Sequence, residues 1–166
     1  MELEFSNLNA LAAHIASAAV AIETAGHHSL EKCARLIEKT AKDEIGHYQP
    51  EVGQFAAWPS LADATVADRV AHGYAPDQPL LREGDLRDSI EHEVHGNEAI
   101  IGSKSDIAAY QEFGTATIPP RPFIGPAAFR NIESINRIVG EAAMRTMQYG
   151  RIGVMDPLIV EGESNV

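Results

Sequence analysis

The chain has 166 residues, with 24 acids against 13 bases, a formal net charge of −11, and 45% hydrophobic residues. That length suits one soluble domain with a real core. The acidic balance argues against a dedicated nucleic-acid binder, which needs Lys and Arg clustered against phosphate, and the lone Cys33 permits no internal disulfide and fits a reducing compartment.

From about Asn7 to Ile45, apolar residues recur at three- and four-residue spacing: Leu8, Leu11, Ile15, Ala18 and Ile22, then Leu30, Cys33, Ile37 and Ala41. The spacing predicts an amphipathic helix of about ten turns, or two in series with the weak point at Gly26-His27-His28-Ser29, where Ser29 is a candidate cap. Cys33 is expected to pack as a small hydrophobe. Glu31–Arg35 and Glu38–Lys42 stand four apart and support the exposed face. Glu2, Glu4 and the polar interruptions at His14, Ser17, Glu23 and Thr24 predict neither a signal peptide nor a membrane span.

Residues 46–84 hold four of the nine prolines and the only tryptophan, Trp58, and read as ordered loop around a short helix from Leu61 to His72. Asp85 is a candidate cap for one helical turn through Ile90. Two strands, Glu91–His95 and Glu98–Gly102, are expected around the turn Gly96-Asn97, burying Val94, Ile100 and Ile101. A helix from Asp106 to Phe113 stopped at Gly114 follows, then a third strand at Thr115–Ile118 on β-branched propensity. Pro119, Pro120 and Pro122 delay the last helix until Pro126. It is expected to run to about Tyr149, end at Gly150, and bury Ala128, Ile132, Ile135, Val139, Ala142 and Ala143. The order predicts an α+β fold: a small antiparallel β-sheet covered by long N-terminal and C-terminal helices, one domain over 1–150, and an extended arm over 151–166 with Leu158-Ile159-Val160 its apolar patch.

Catalytic patterns are weak. His92-Glu93-Val94-His95 is one residue short of the zinc-protease spacing, and on a strand its two histidines point to opposite faces, so both are expected to be solvated rather than to chelate an ion. Gly102-Ser103-Lys104-Ser105 lacks the adjacent Gly-Lys of a phosphate loop. Glu91, Glu93 and Glu98 form the candidate acid set of a hydrolase, against the plainer expectation of charges guarding a sheet edge. Arg130, Arg137 and Arg145 form a stripe on the last helix. It reads as a solvated face, as a surface for acidic neighbours, or as a DNA-facing adaptor, since 119–153 carries five arginines against two acids. No cofactor or metal is expected.

Several segments in order resemble a known family. They are Leu80–Ile90, Ile101-Gly102-Ser103, Ala109–Thr115 with Tyr110, Glu112, Phe113 and Gly114, and Pro119–Ile124 with Arg121, Pro122 and Phe123. Upstream, Trp58-Pro59-Ser60-Leu61 and Thr65 resemble a segment of the phage Mu-like branch. Tyr110 and Glu112 stand closer together than in the family pattern, and Glu83 takes the place of a small hydroxyl residue. The chain is similar to the head–tail joining proteins of tailed bacteriophages, also called neck, tail-completion or virion morphogenesis proteins. The resemblance implies a non-enzymatic subunit of the virion neck, assembled in the host cytoplasm as a ring of identical copies between the portal connector and the tail. DNA would pass through without specific binding, and no membrane would be involved. Loop 46–79 and the arm after Arg151 are then expected to reach neighbouring subunits. On physical grounds alone, Arg121 is placed to pair with Glu112, Gly114 to adopt positive φ, and Phe123 to anchor the core.

Overall fold

The structure, a computed structural model, describes residues 7–152 and the side chains of residues 7–146. The expected arm therefore lies outside the described residues except for Arg151 and Ile152, and so do Glu2 and Glu4.

Helix α1 (Leu8–Glu44) is continuous. Asn7 starts it by accepting the N–H of Ala10 at 2.9 Å. The predicted weak point does not break it, because Ser29 turns its hydroxyl back to the Ala25 carbonyl at 2.8 Å instead of capping a new helix. Arg35 reaches Glu31 at 2.7 Å and Lys42 pairs with Glu38, as their spacing predicts. Within the first eighteen residues α1 is long and apolar enough to cross a bilayer by length and composition alone, with a mean hydropathy of 1.3 in its best window.

Helix α2 (Asp63–Ala71) and the single turn α3 (Asp85–Asp88) flank a loop. Gly84, with φ +105°, takes the cap position before α3, so Asp85 is its first residue rather than its cap. Strands β1 (Ile90–His95) and β2 (Glu98–Ser103) pair antiparallel around Gly96-Asn97. Ile90, His92 and Val94 pair with Ser103, Ile101 and Ala99, and this face lies on α1. The two-residue period then forces Ile100 to the outer face with Glu91 and Glu93, where it stands exposed, so Ile100 and Ile101 are not both buried.

Helix α4 (Asp106–Phe113) ends at Gly114 as expected. The expected third strand at Thr115–Ile118 does not form, and among the described residues the sheet has two strands. Thr115 closes a turn on itself instead: its N–H donates to the Ile118 carbonyl at 2.9 Å, and its hydroxyl accepts the Ile118 N–H at 3.0 Å. The last helix is two helices. Helix α5 (Ile124–Arg130) starts two residues before Pro126, and α6 (Ile132–Ile152) carries through Gly150. Asn131 makes the break, donating from Nδ2 to Thr40 Oγ1 and to the Ala127 carbonyl, both at 2.8 Å. The break resets the rotation of α6. Ser134, Ile135, Ile138, Ala142 and Thr146 turn toward α1, while Ile132, Val139 and Ala143 stay exposed, against the predicted face.

Ala41, Ile45, Trp58, Leu86, Ile90, Ala108, Phe123 and Ala127 form the core. Alanines at the contact points let α1 and α5 approach closely, and Phe123, Ile90 and Ala108 join them in the core. Cys33 is buried as expected, and burial pushes its thiol pKa up.

His92 is not the solvated strand histidine that its pattern predicts. Its side chain is 17% exposed, between Glu38 at Nδ1 and Glu31 at 3.2 Å from Nε2. The Glu38 hydrogen bond raises the ring's pKa, burial opposes it, and Glu31 adds to the rise. A histidine with a raised folded pKa gives stability that is complete below its ordinary value of about 6.5 and fades as pH rises through the folded value. Urea unfolding of the wild type is therefore expected to lose stability from about pH 6.5 upward relative to His92→Gln. Parallel pH profiles for the two proteins would contradict this.

Candidate functional site

Three of the segments that resemble the phage family, at 58–61, 109–115 and 119–124, meet where α4 turns into α5. Gly114 has φ +74°, and a Cβ there would stand 2.9 Å from the Ile118 carbonyl and 3.0 Å from the Pro120 nitrogen, so only glycine fits. Three of the next eight residues, Pro119, Pro120 and Pro122, have no N–H to offer. The N–H groups that follow, of Phe123, Ile124 and Gly125, open α5 and lack intrahelical partners. All three donate to the Glu112 carboxylate, at 2.7, 3.1 and 3.0 Å. The carboxylate sits at the positive end of α5 and holds it against the end of α4.

Arg121 does not pair with Glu112. Its N–H donates to the Gln111 carbonyl at 2.7 Å, and its guanidinium turns away to the Pro59 carbonyl at 3.0 Å and the Ser60 carbonyl at 3.1 Å. Glu112 is instead engaged by three backbone donors. Arg121 is buried, and burial lowers its pKa. Trp58 completes the clasp by donating its indole N–H to the Pro122 carbonyl at 2.9 Å. Loop 46–79 is thus fastened to its own chain at Trp58 and Arg121, at Gly46, whose N–H reaches the Pro79 carbonyl at 2.9 Å, and through Arg69, which donates to the Ala75 and Leu81 carbonyls. The loop is ordered by its own chain. Trp58 was legible as part of a motif; Arg69 had no signal in the sequence.

Phe123 is fully buried, as expected. Pro122 is half-buried, whereas Tyr110 and Phe113 point outward, Phe113 being 79% exposed. An open groove of about 720 Å³ runs between α2 and α4, floored by Leu61, Leu80 and Ile118 with Arg69 and Arg121 in its wall.

The arginine stripe divides. Arg130 stands 3.0 Å from buried Glu44 and donates to Gln49 Oε1 at 2.6 Å, so its guanidinium is engaged by its own chain. Arg137 and Arg145 are exposed, with Arg137 3.9 Å from Glu141. Neither carboxylate oxygen of Glu44 accepts a hydrogen bond, although Arg130 Nη1 stands 3.0 Å from Oε1. Burial pushes the Glu44 pKa up to about 7, with Arg130 opposing and Glu112 adding to the rise.

Glu91 and Glu93 lie on the open outer face of the hairpin, loosely around Lys104 at 3.8 and 3.7 Å, and exposed His95 stands 3.3 Å from Glu93 on the same face, while His92 lies on the inner face. Among the described residues no three His, Cys, Asp or Glu side chains are grouped to hold a metal ion.

Residues 7–142 match the sequence model of the phage virion morphogenesis family. The chain is also 30% identical over 100 residues to protein G of Escherichia phage Mu, named as a candidate capsid assembly protein. The match covers 55% of this chain and 63% of that protein, so the chain spans less than two thirds of the relative's length. No solved structure matches it.

Replacing Glu112→Gln removes the charge from three hydrogen bonds and should cost on the order of 2 kcal/mol in urea unfolding; a change within about 0.5 kcal/mol would leave the clamp without energetic weight. Glu44 has a folded pKa above the ordinary 4.5, so its stabilising share is complete below that value and is lost as pH rises toward about 7. Glu44→Gln should therefore gain on the wild type across that interval, and a gain that does not change with pH would overturn the assignment.

Proposed function

This chain belongs to the phage virion morphogenesis family, and we propose that it acts as a structural subunit of the head–tail junction, a neck or tail-completion protein. In this reading, copies of the chain form a ring between the portal connector and the tail, and DNA crosses the ring without being specifically bound. Family membership and the name of the phage Mu relative support a role in virion assembly rather than in catalysis.

The observation that carries the reading is how the family-like residues are used. Glu112, Arg121 and Trp58 spend their polar atoms on backbone inside the subunit, fixing the turn from α4 to α5. The same turn leaves Phe113 and Tyr110 bare on the outside. A rigid frame presenting exposed aromatic side chains suits docking to another protein. The net charge of −11 suits a conduit past which DNA slides. The DNA-adaptor reading has less support, because the Arg130 guanidinium is engaged by Gln49 and Glu44, and so does the hydrolase reading, because Glu91, Glu93 and His95 stand exposed on the open outer face of the hairpin.

Deleting the gene from the phage that encodes this chain should leave filled heads and separate tails in electron micrographs, with the chain present in wild-type virions by mass spectrometry. Phe113→Ser should fold normally yet lower the infectious yield by roughly tenfold or more, the effect of losing one contact of about 1.4 kcal/mol. Joined, infectious particles at normal yield without the gene would refute the assignment.

A further inference from the structure

The groove between α2 and α4 has an apolar floor, where Leu61, Leu80 and Ile118 are half-buried. Its volume of about 720 Å³ falls in the range of roughly 300–1,000 Å³ usual for binding pockets. Two guanidinium groups stand in its wall without an acid beside them. Arg69 and Arg121 are each 6% exposed and donate to backbone carbonyls alone, Arg69 to Ala75 and Leu81, Arg121 to Pro59 and Ser60. Among the described residues neither is paired with a carboxylate. A buried cation served by neutral acceptors gains from an incoming carboxylate. A third arginine, Arg82, lies exposed on the rim, 3.5 Å from Asp68. Two acids line the groove as well, but Glu83 already accepts the Tyr74 hydroxyl and Asp85 belongs to α3. Three arginines against two acids make this groove locally cationic on a chain of net charge −11.

The chain itself carries a segment of complementary chemistry. Residues 153–166 lie outside the described residues; their sequence holds the apolar run Leu158-Ile159-Val160, with Asp156 before it, Glu161 and Glu163 after it, and no Lys or Arg. That run does not reach the groove of its own subunit. Helix α6 starts beside Thr40, near the end of α1, and packs back along α1, so its far end stands about 30 Å away from its start. The groove lies at the end of α1 that α6 leaves behind: Pro79, next to Leu80, accepts the N–H of Gly46, just past α1. Leu158 is six residues beyond Ile152, at most about 22 Å of extended chain.

We infer that the groove receives the Leu158-Ile159-Val160 run of a second copy of this chain, with the acids on either side of the run facing the arginines of the wall. Apolar anchors seated in an apolar floor, with acidic residues read by arginines, is an established mode of peptide recognition. The two surfaces differ, so the contact is head-to-tail: each copy offers its segment to one neighbour and its groove to the other, and such a contact closes into a ring. The inference rests on the reading above only in that copies associate; it adds the contact by which they do.

Sedimentation equilibrium of the full chain tests this. The wild type should self-associate. Ile159→Glu, in the segment, and Thr65→Glu, an exposed position lining the groove, should each weaken association by at least about tenfold with unchanged circular dichroism. Ala67→Glu, exposed on α2 but outside the groove, should leave association unchanged. Mixing the Ile159→Glu and Thr65→Glu proteins should recover a species of two copies and none larger, since one keeps its groove and the other its segment. Association undiminished in Ile159→Glu, or no recovery on mixing, overturns the contact while leaving the junction reading intact. A wild type that stays monomeric at millimolar concentration overturns it too. The junction reading is decided separately, by the particles that form without the gene.

Discussion

One carboxylate sets the shape of the C-terminal half. Glu112 gathers the N–H groups of three successive residues, 123 to 125. Prolines ahead of these groups leave them no turn or strand to join, and the first turn of a helix gives them no internal acceptor. The carboxylate fixes where α5 starts and therefore where Phe123 enters the core. Through Asn131 it also influences where the chain breaks and the direction in which α6 departs. Arg121 and Trp58 act on the same few residues from the other side and carry the long loop with them. A local motif thus governs the relation of four elements.

Helix α1 is the common wall for everything else. The hairpin lies on one side of its C-terminal half and α5 on another, and α6 continues along it. Polar groups on this wall are few and mostly engaged: His92 is held between two glutamates, and Thr40 takes the Asn131 amide. Glu44 is the exception, a buried acid that has Arg130 at 3.0 Å but accepts no hydrogen bond. Such a group weakens the fold near neutral pH, and no other contact in the structure explains why it is kept.

Much of this was legible in the sequence, for reasons that can be named. The long first helix, the Gly96-Asn97 hairpin and the helix ended by Gly114 rest on periodicity and turn chemistry, which act over a few residues. The failures needed distant partners. Thr115–Ile118 has strand propensity, but no neighbouring edge is offered and the Thr115 hydroxyl closes a turn first. The Arg121–Glu112 pairing was reasonable from charge, yet backbone N–H groups claimed the carboxylate. The single final helix was cut by one amide reaching Thr40, ninety-one residues away in sequence, and that cut moved Ile132 and Val139 from the expected core to the surface. The motif residues Tyr110, Glu112, Phe113, Arg121 and Phe123 were all singled out, but which of them face inward was not readable from order or spacing.

The clasp joins partners far apart along the chain: Trp58 to Pro122, sixty-four residues on, and Gln49 to Arg130, eighty-one residues on. On the ribosome, residues 8–110 emerge with their core positions open, because Phe123 and Ala127 are not yet made. The apolar side of α1 must wait in water through most of synthesis, and loop closure of this length slows folding afterwards. The nascent polypeptide is thereby a natural client for chaperones, and its maturation is tied to the completion of translation rather than to its progress.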